Sequence, residues 1–252
     1  MRILVISDIH ANLEAMNACL SAAPEYDLVF NLGDIIGYGA NPNEVVDKSQ
    51  ALGGLYVRGN HDRASVGLTE LKHFNYVAAQ AALWTQHELT RENRDWIAAL
   101  PAGPLGWESL PNVLAVHGAP TDEDEYILSE GQAAEQFNAS LGSVTFFGHS
   151  HQQGAFEFLP DGTTGVVRPE YDGRDSAGTF EITLEPNRRY LINPGSVGQP
   201  RDGDWRAAFA IYDSDSRKLV FYRVPYDVEV AMEKIMDAGL PERLALRLRQ
   251  GR

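Results

Sequence analysis

The sequence predicts an α/β fold in which two mixed β-sheets pack together with helices outside. Three observations carry this expectation. Over the first 150 residues, short apolar runs alternate with helix-like stretches, the pattern of βα units. After residue 151 the texture changes to strand–turn–strand pairs. The chain has 252 residues and 44% hydrophobic content, enough to bury a large core in one domain.

The apolar runs at 3–6, 28–32, 55–57, 113–116 and 144–147 are short, lack clean alternation and are rich in β-branched or aromatic residues, as strands buried on both faces are. Between them, Leu13, Met16 and Leu20 recur at helical spacing, and Pro42 suits the first turn of a second helix. A long helical stretch covers roughly 70–100, with Thr90 as the N-cap of its second part, and Pro101-Ala102-Gly103-Pro104 ends it. Further on, 155–159 with 165–167, 180–184 with 190–192, and 207–212 with 219–223 read as three hairpins. Segment 169–178 is polar and glycine-rich, an exposed loop by composition. The tail from about 227 is helical, broken at Gly239-Leu240-Pro241. No internal repeat interrupts this order, so 1–252 reads as one domain.

Composition excludes several functions. With 21 Lys+Arg against 35 Asp+Glu the net charge is −14, which argues against sequence-independent nucleic-acid binding and against docking to an anionic membrane. A single cysteine, Cys19, rules out an intrachain disulfide, a Cys-based zinc site and an iron–sulfur cluster. Its neighbours Leu13, Met16 and Leu20 point to buried packing. No apolar run approaches the ~18 residues of a membrane span. The opening run is cut short by Asp8 and His10, unlike a signal peptide. A cytoplasmic protein is the expectation; oligomeric state is not legible.

The chemistry gathers in five motifs, each entered directly from an apolar run: Ser7-Asp8-Ile9-His10, Leu32-Gly33-Asp34, Gly59-Asn60-His61-Asp62, His117-Gly118 and Gly148-His149-Ser150-His151. In open α/β sheets ligands bind at the carboxyl ends of strands, so five such ends can converge on one crevice. Oxygen and imidazole donors without thiolate suit Mn²⁺, Fe²⁺, Zn²⁺, Co²⁺ or Ni²⁺. There are more donors than one ion needs; two ions sharing a carboxylate would use them.

These five blocks, in this order and spacing, resemble the calcineurin-like metallophosphoesterases. Asn193-Pro194-Gly195-Ser196-Val197-Gly198-Gln199-Pro200-Arg201 is similar to a segment of that family's small bacterial and archaeal branch, so the likeness runs from residue 8 to 201. The resemblance implies that Asp8, His10 and His151 hold one divalent ion and Asn60, His117 and His149 the other, with Asp34 bridging. Mn²⁺ is favoured for the pair. It further implies a metal-bridging hydroxide as nucleophile and His61 as general acid to the leaving group, with the adjacent Asp62 favouring the protonated imidazole.

Two departures sharpen the expected substrate. Where the protein Ser/Thr phosphatases of this family carry Asp and Arg after the bridging Asp, this chain has Gly37 and Tyr38. Loss of a phosphate-gripping Arg penalises a monoester dianion more than a diester monoanion, which favours a phosphodiesterase acting on a small phosphorylated or nucleotide substrate. Arg58, Arg63, Arg201 and Tyr38 are candidate substrate contacts. A phosphomonoesterase or protein phosphatase, a dinucleoside-polyphosphate hydrolase and a non-catalytic scaffold of the same fold are the alternatives. Outside the motifs, His73 and His87 read as surface or boundary residues, and Trp84, Trp96 and Trp107 as core anchors. Trp205, next to Arg201-Asp202-Gly203-Asp204, is left open between a core anchor and a residue at the edge of the crevice. The acidic run 121–125 reads as a solvated loop with a second possibility, that it shapes substrate access.

Overall fold

Each apolar run of the first half becomes a strand whose alternate residues face two different cores. The computed structural model describes residues 1–139 and 142–252, and all their side chains except those of His73 and Ala139. In β1 (Arg2–Ile6), Ile3 and Val5 join the core between the sheets, whereas Leu4 and Ile6 face the helices. This two-sided burial is why the runs lack polar alternation.

The first sheet has the order β3 (Leu55–Tyr56), β2 (Leu28–Asn31), β1, β11 (Ala207–Asp213), β12 (Lys218–Val224) and β9 (Gly178–Thr183). The second runs β4 (Leu105–Trp107), β5 (Leu110–Ala115), β6 (Val144–Phe146), β10 (Arg189–Asn193), β7 (Gly154–Phe158) and β8 (Thr164–Val167). Strands β1, β2 and β3 are parallel to one another, and so are β5, β6 and β10. Each sheet therefore contributes three parallel strand ends, flanked by antiparallel strands.

Phe30, Phe146, Tyr212 and Phe221 fill the space between the sheets. On the outer face of the first sheet pack α1 (Leu13–Ala22), α2 (Pro42–Leu52), α4 (Tyr76–Glu88), α5 (Arg91–Ala98), α7 (Val228–Asp237) and α8 (Glu242–Gln250). Helix α6 (Glu130–Ala139) covers the second sheet through Ala133 and Phe137, and α3 (Asn60–Ser65) is a short helix at the end of β3. Side-chain caps at Asn12, Asn75, Thr90 and Asp227 start α1, α4, α5 and α7, and Pro42 opens α2 as its fixed φ favours. Cys19 is buried in the helix-side core, as its neighbours predict.

Three expectations need correction. Residues 180–184 and 190–192 do not form a hairpin: β9 is an edge strand of the first sheet and β10 is central in the second. The physical reason lies in their faces, since β9 alternates partly buried and exposed positions while β10 is buried along almost its whole length. Trp107 is not a core anchor: it is 36% exposed on the edge strand β4, where the register against β5 shifts. Trp84 and Trp96 do pack against the helix-side core. The stretch 70–100 opens with a 3-10 turn at Leu71–His73, so its first α-helix begins only at Tyr76, whereas its second part starts at the Thr90 cap as expected. His87 is exposed, and the His73 side chain lies outside the described residues.

Among the described residues, no helix is long and apolar enough to cross a membrane. The sheet–sheet core makes a stability prediction. Phe146 is fully buried between Phe30 and Tyr212, so Phe146→Ala should cost about 3–5 kcal/mol of unfolding free energy in urea titration. A loss below about 1 kcal/mol would mean that this core is not close-packed there.

Candidate metal centre

All five motifs sit where parallel strands end, and the chain turns there through unusual backbone. Asp8, His10, Asp34, His149 and His151 adopt φ of 53°, 48°, 52°, 63° and 57°. Such left-handed conformations cost non-glycine residues about 1–3 kcal/mol each and persist only when the surroundings over-determine them. Here the loops hold one another. The Asp8 N–H donates to Gly33 O, His10 N–H to Asp34 O and Ala11 N–H to Ile35 O, which lays the β1 and β2 exits side by side. Gly59 lies so close to this pair that a Cβ there would fall 2.0 Å from Asp34 Oδ1.

The donors converge in two groups that share Asp34. Ligand atoms of Asp8, His10, Asp34 and His151 all lie within 4.8 Å of one another, and so do those of Asp34, His117 and His149. Asp34 Oδ2 is 3.6 Å from His10 Nε2 and 3.5 Å from His117 Nε2. Asp8 Oδ1 is 3.2 Å from His151 Nε2, and Asn60 Oδ1 is 3.2 Å from His117 Nε2. The structure thus brings together all seven residues expected as ligands.

Backbone carbonyls set the imidazole tautomers. His10 Nδ1 faces Ile36 O at 3.3 Å, His117 Nδ1 faces Leu32 O at 2.7 Å and His151 Nδ1 faces Gln199 O at 2.5 Å. A carbonyl only accepts, so each Nδ1 is the donor, which turns the Nε2 lone pairs of neutral His10 and His151 toward the centre. Those two Nε2 atoms stand 3.2 Å apart, and Asp8 Oδ1 is buried without a hydrogen-bond donor. Facing lone pairs beside a bare carboxylate oxygen repel; a cation between them turns each contact into an attraction. The donor set fits divalent metal.

Electrostatics within the cluster follow from burial and from the two carboxylates. Burial holds the pKa of His10 well below its ordinary value and pushes His149 down to about 3; burial and Arg201 also lower His151. These imidazoles are neutral at pH 7. His117 is the exception. Burial opposes its proton too, but the Asp34 and Asp8 charges outweigh burial and raise it to about 10. Burial alone would raise both carboxylates, yet the facing histidines hold Asp8 and Asp34 well below the usual carboxylate range.

His61 stands beside this cluster. Its N–H donates to Asp34 Oδ1 at 2.8 Å, and its ring lies 5.0 Å from His10 and 4.2 Å from Tyr38. His61 Nδ1 is buried without a partner, and burial lowers its pKa to about 4. Gly37 borders that nitrogen, and a Cβ there would come 3.0 Å from His61 Nδ1, so no side chain from position 37 reaches it. The expected support from Asp62 is corrected by the geometry. Asp62 Oδ1 accepts from the Ile35 and Ile36 N–H groups and Oδ2 from Gly59 N–H, so its carboxylate ties the β2 and β3 exits together and does not face His61.

The acidic run is not a freely solvated loop. Arg58 donates two hydrogen bonds to Glu123, at 3.0 and 3.1 Å, and Arg63 pairs with Glu123 and Asp124. The Asp124 carbonyl reaches His149 Nε2 at 3.1 Å. Arg58 is therefore neutralised by Glu123, whereas Arg201 Nε is buried without a partner and its guanidinium lies over Tyr38. Trp205 packs with Tyr226 against the helix-side core. Sequence reading missed Tyr126, which stacks on His149 at 3.8 Å, and the Gln199 carbonyl behind His151. The Asn-Pro-Gly-Ser segment acts as a brace: Ser196 Oγ donates to Asp8 O, and Asn193 Nδ2 donates to Gly148 O.

Two packed mixed sheets with Asp/His clusters at their strand ends define a metallophosphoesterase fold. The chain belongs to the calcineurin-like phosphoesterase superfamily, whose domain model matches residues 1–217. It is 40% identical to the uncharacterized protein MJ0912 of Methanocaldococcus jannaschii over 99% of this chain and 98% of that protein. The crystal structure of a metallophosphoesterase from Sphaerobacter thermophilus superposes with a TM-score of 0.83 at 37% identity, covering 100% of this chain and 99% of that one. The hypothetical protein PH1004 of Pyrococcus horikoshii OT3 shares the fold, with a TM-score of 0.77 at 18% identity over 100% and 98% of the two chains. The family is one of phosphoester hydrolases that bind divalent metals, and the two clusters here can hold them.

Two outcomes test the centre. Gly59→Ala should push the Asp34 carboxylate aside and weaken Mn²⁺ binding at least about 10-fold, measured by calorimetry, with far-UV circular dichroism unchanged. Unchanged affinity would free Asp34 from any role in holding metal. In the metal-free chain His117 is protonated at pH 7, since its pKa lies near 10, so metal loading should release a proton and tighten as pH rises toward that value. Calorimetry in buffers of different ionisation enthalpy reads this directly, and zero release would overturn it.

Proposed function

We propose that the chain is a two-metal phosphoesterase that hydrolyses a small phosphodiester or nucleotide. The observation that carries this reading is Asp34, one buried carboxylate reached by His10 from one cluster and by His117 from the other. Asp8, His10 and His151 are assigned to one ion, Asn60, His117 and His149 to the second, and Asp34 to both. Oxygen and imidazole donors without thiolate suit several borderline metals, and we take Mn²⁺ as the native pair. When bound, the ions supply Lewis acidity toward the phosphoryl group and lower the pKa of coordinated water.

The chain's own residues do the rest. Asp34 and Asp8 place negative charge where the cations must sit. The carbonyls of Ile36, Leu32 and Gln199 lock the imidazoles so that little reorganisation accompanies reaction. His61 is assigned as general acid. Its pKa near 4 leaves it neutral in the free protein, so it takes up its proton together with an anionic substrate and passes it to the leaving oxygen. Gly37 and Tyr38 support a diester over a monoester, because no arginine at position 38 grips a dianion. The reading takes 1–252 as one catalytic domain acting in the cytoplasm. A scaffold role is disfavoured because every ligand position is filled.

Hydrolysis of bis-p-nitrophenyl phosphate beside p-nitrophenyl phosphate, with chelated protein and with added Mn²⁺, tests the proposal. Metal-dependent cleavage favouring the diester is expected. Preference for the monoester would shift the reading to a phosphomonoesterase, with Arg201 taking the dianion. His61→Ala should retain both metals and lose at least about 10²-fold in kcat; unchanged turnover would remove His61 from the mechanism.

A further inference from the structure

Beside the metal centre lies a cleft of about 760 Å³ walled by Tyr38, Tyr76, Arg243, Leu246 and Arg247. Tyr38 joins the two spaces. One side of its ring meets His10 at 4.7 Å and His61 at 4.2 Å, while Arg247 and Arg201 lie 5.6 and 6.0 Å from its centroid. Arg247 and Arg243 belong to α8, beyond the residues 1–217 matched by the family model.

The charge pattern here is unusual for this chain. Carboxylates outnumber cations 35 to 21, and Arg58, Arg63, Arg188, Arg206, Arg223 and Arg249 each have an acidic partner. Among the described residues, no Asp or Glu side chain lies within ion-pairing distance of Arg201 or Arg247; Arg247 Nε donates to Arg252 O, and Arg201 Nη2 donates to Gln199 Oε1 at 3.1 Å. Both are partly buried, and the Arg201 Nε is buried without an acceptor. Burial and the nearby Arg201 charge both lower the Arg247 pKa. Two guanidiniums set against one tyrosine, neither paired with an Asp or Glu side chain, make a receptor for a multivalent oxyanion.

We infer that Arg201 and Arg247 form a second anion subsite, which takes a further phosphoryl group of a substrate whose scissile phosphoryl group sits at the metal centre. The inference rests on the phosphoesterase reading above and narrows its substrate to phosphoric esters with at least two phosphoryl groups, such as nucleoside diphosphate esters. The cleft volume suits a nucleotide-sized group. Exposed Tyr76 and Leu246 offer apolar surface to a base, and Arg243 extends the positive wall.

The deciding experiment is calorimetric binding of inorganic pyrophosphate to the metal-free full chain, where Asp8 and Asp34 repel anions from the centre itself. Arg247→Gln should weaken binding about 10-fold or more, Arg247→Lys should recover part of it, and Arg249→Gln, on the same helix but paired with Glu229, should match the wild type. The melting temperature of Arg247→Gln should hold or rise, since the substitution relieves repulsion with Arg201; a purely structural arginine would lower it. With the Mn²⁺-loaded protein, the ratio of kcat/KM for a nucleoside diphosphate ester to that for bis-p-nitrophenyl phosphate should fall about 10-fold in Arg247→Gln. Equal pyrophosphate affinity in the wild type and Arg247→Gln, or an equal loss in Arg249→Gln, overturns the subsite. Arg247-dependent pyrophosphate binding without turnover of either ester supports the subsite and defeats only the phosphoesterase reading.

Discussion

A carboxylate taken out of water costs several kcal/mol unless opposite charge or hydrogen-bond donors compensate it, and at Asp34 the whole centre is arranged around that compensation. The side chain is 1% exposed, yet it stays ionised because His117 and His10 face one oxygen and the His61 N–H donates to the other. Each of these groups arrives from a different strand end. The requirement that they meet at one carboxylate explains the left-handed turns at the β1, β2 and β6 exits. It also explains why position 59 tolerates no side chain and why Asp62 spends its oxygens on loop amides.

The sheets make this convergence possible. Three parallel strands in each sheet present their carboxyl ends on one side, and antiparallel partners such as β11 and β7 complete the sheets without adding ligands. Continuous apolar burial on both faces keeps those ends rigid. The loops can therefore carry strained residues whose conformations are set by hydrogen bonds to neighbouring loops. The brace from 193 to 199 adds a sixth loop that holds no ligand itself but orients His151 and the Asp8 backbone.

Around the centre, arginines divide into two groups with opposite electrostatic fates. On the His117 side, Arg58 and Arg63 are satisfied by Glu123 and Asp124, so the acidic run closes that flank as an ion-pair network. On the Tyr38 side, Arg201 and Arg247 have no Asp or Glu partner, and a cleft opens there beside Tyr38. The local field over the crevice is thus set by placement, and the net charge of −14 does not describe it.

The sequence by itself determined the class of fold, the paired sheets and the five motifs, because strands buried on both faces leave unbroken apolar runs and ligands must sit where those runs end. It also determined Gly37 and Tyr38, whose chemistry is legible without coordinates. Tertiary structure alone decided what depends on partners distant in the chain. Residues 180–184 and 190–192 went to different sheets because each strand's faces found different neighbours. Helix α6 escaped notice because only Ala133 and Phe137 of its weak apolar pattern face the core. Asp62 turned from His61 toward loop amides, and the acidic run folded onto Arg58 and Arg63. Arg247 joined Arg201 across 45 intervening residues. Local pattern records what a residue needs; long-range packing decides which partner supplies it.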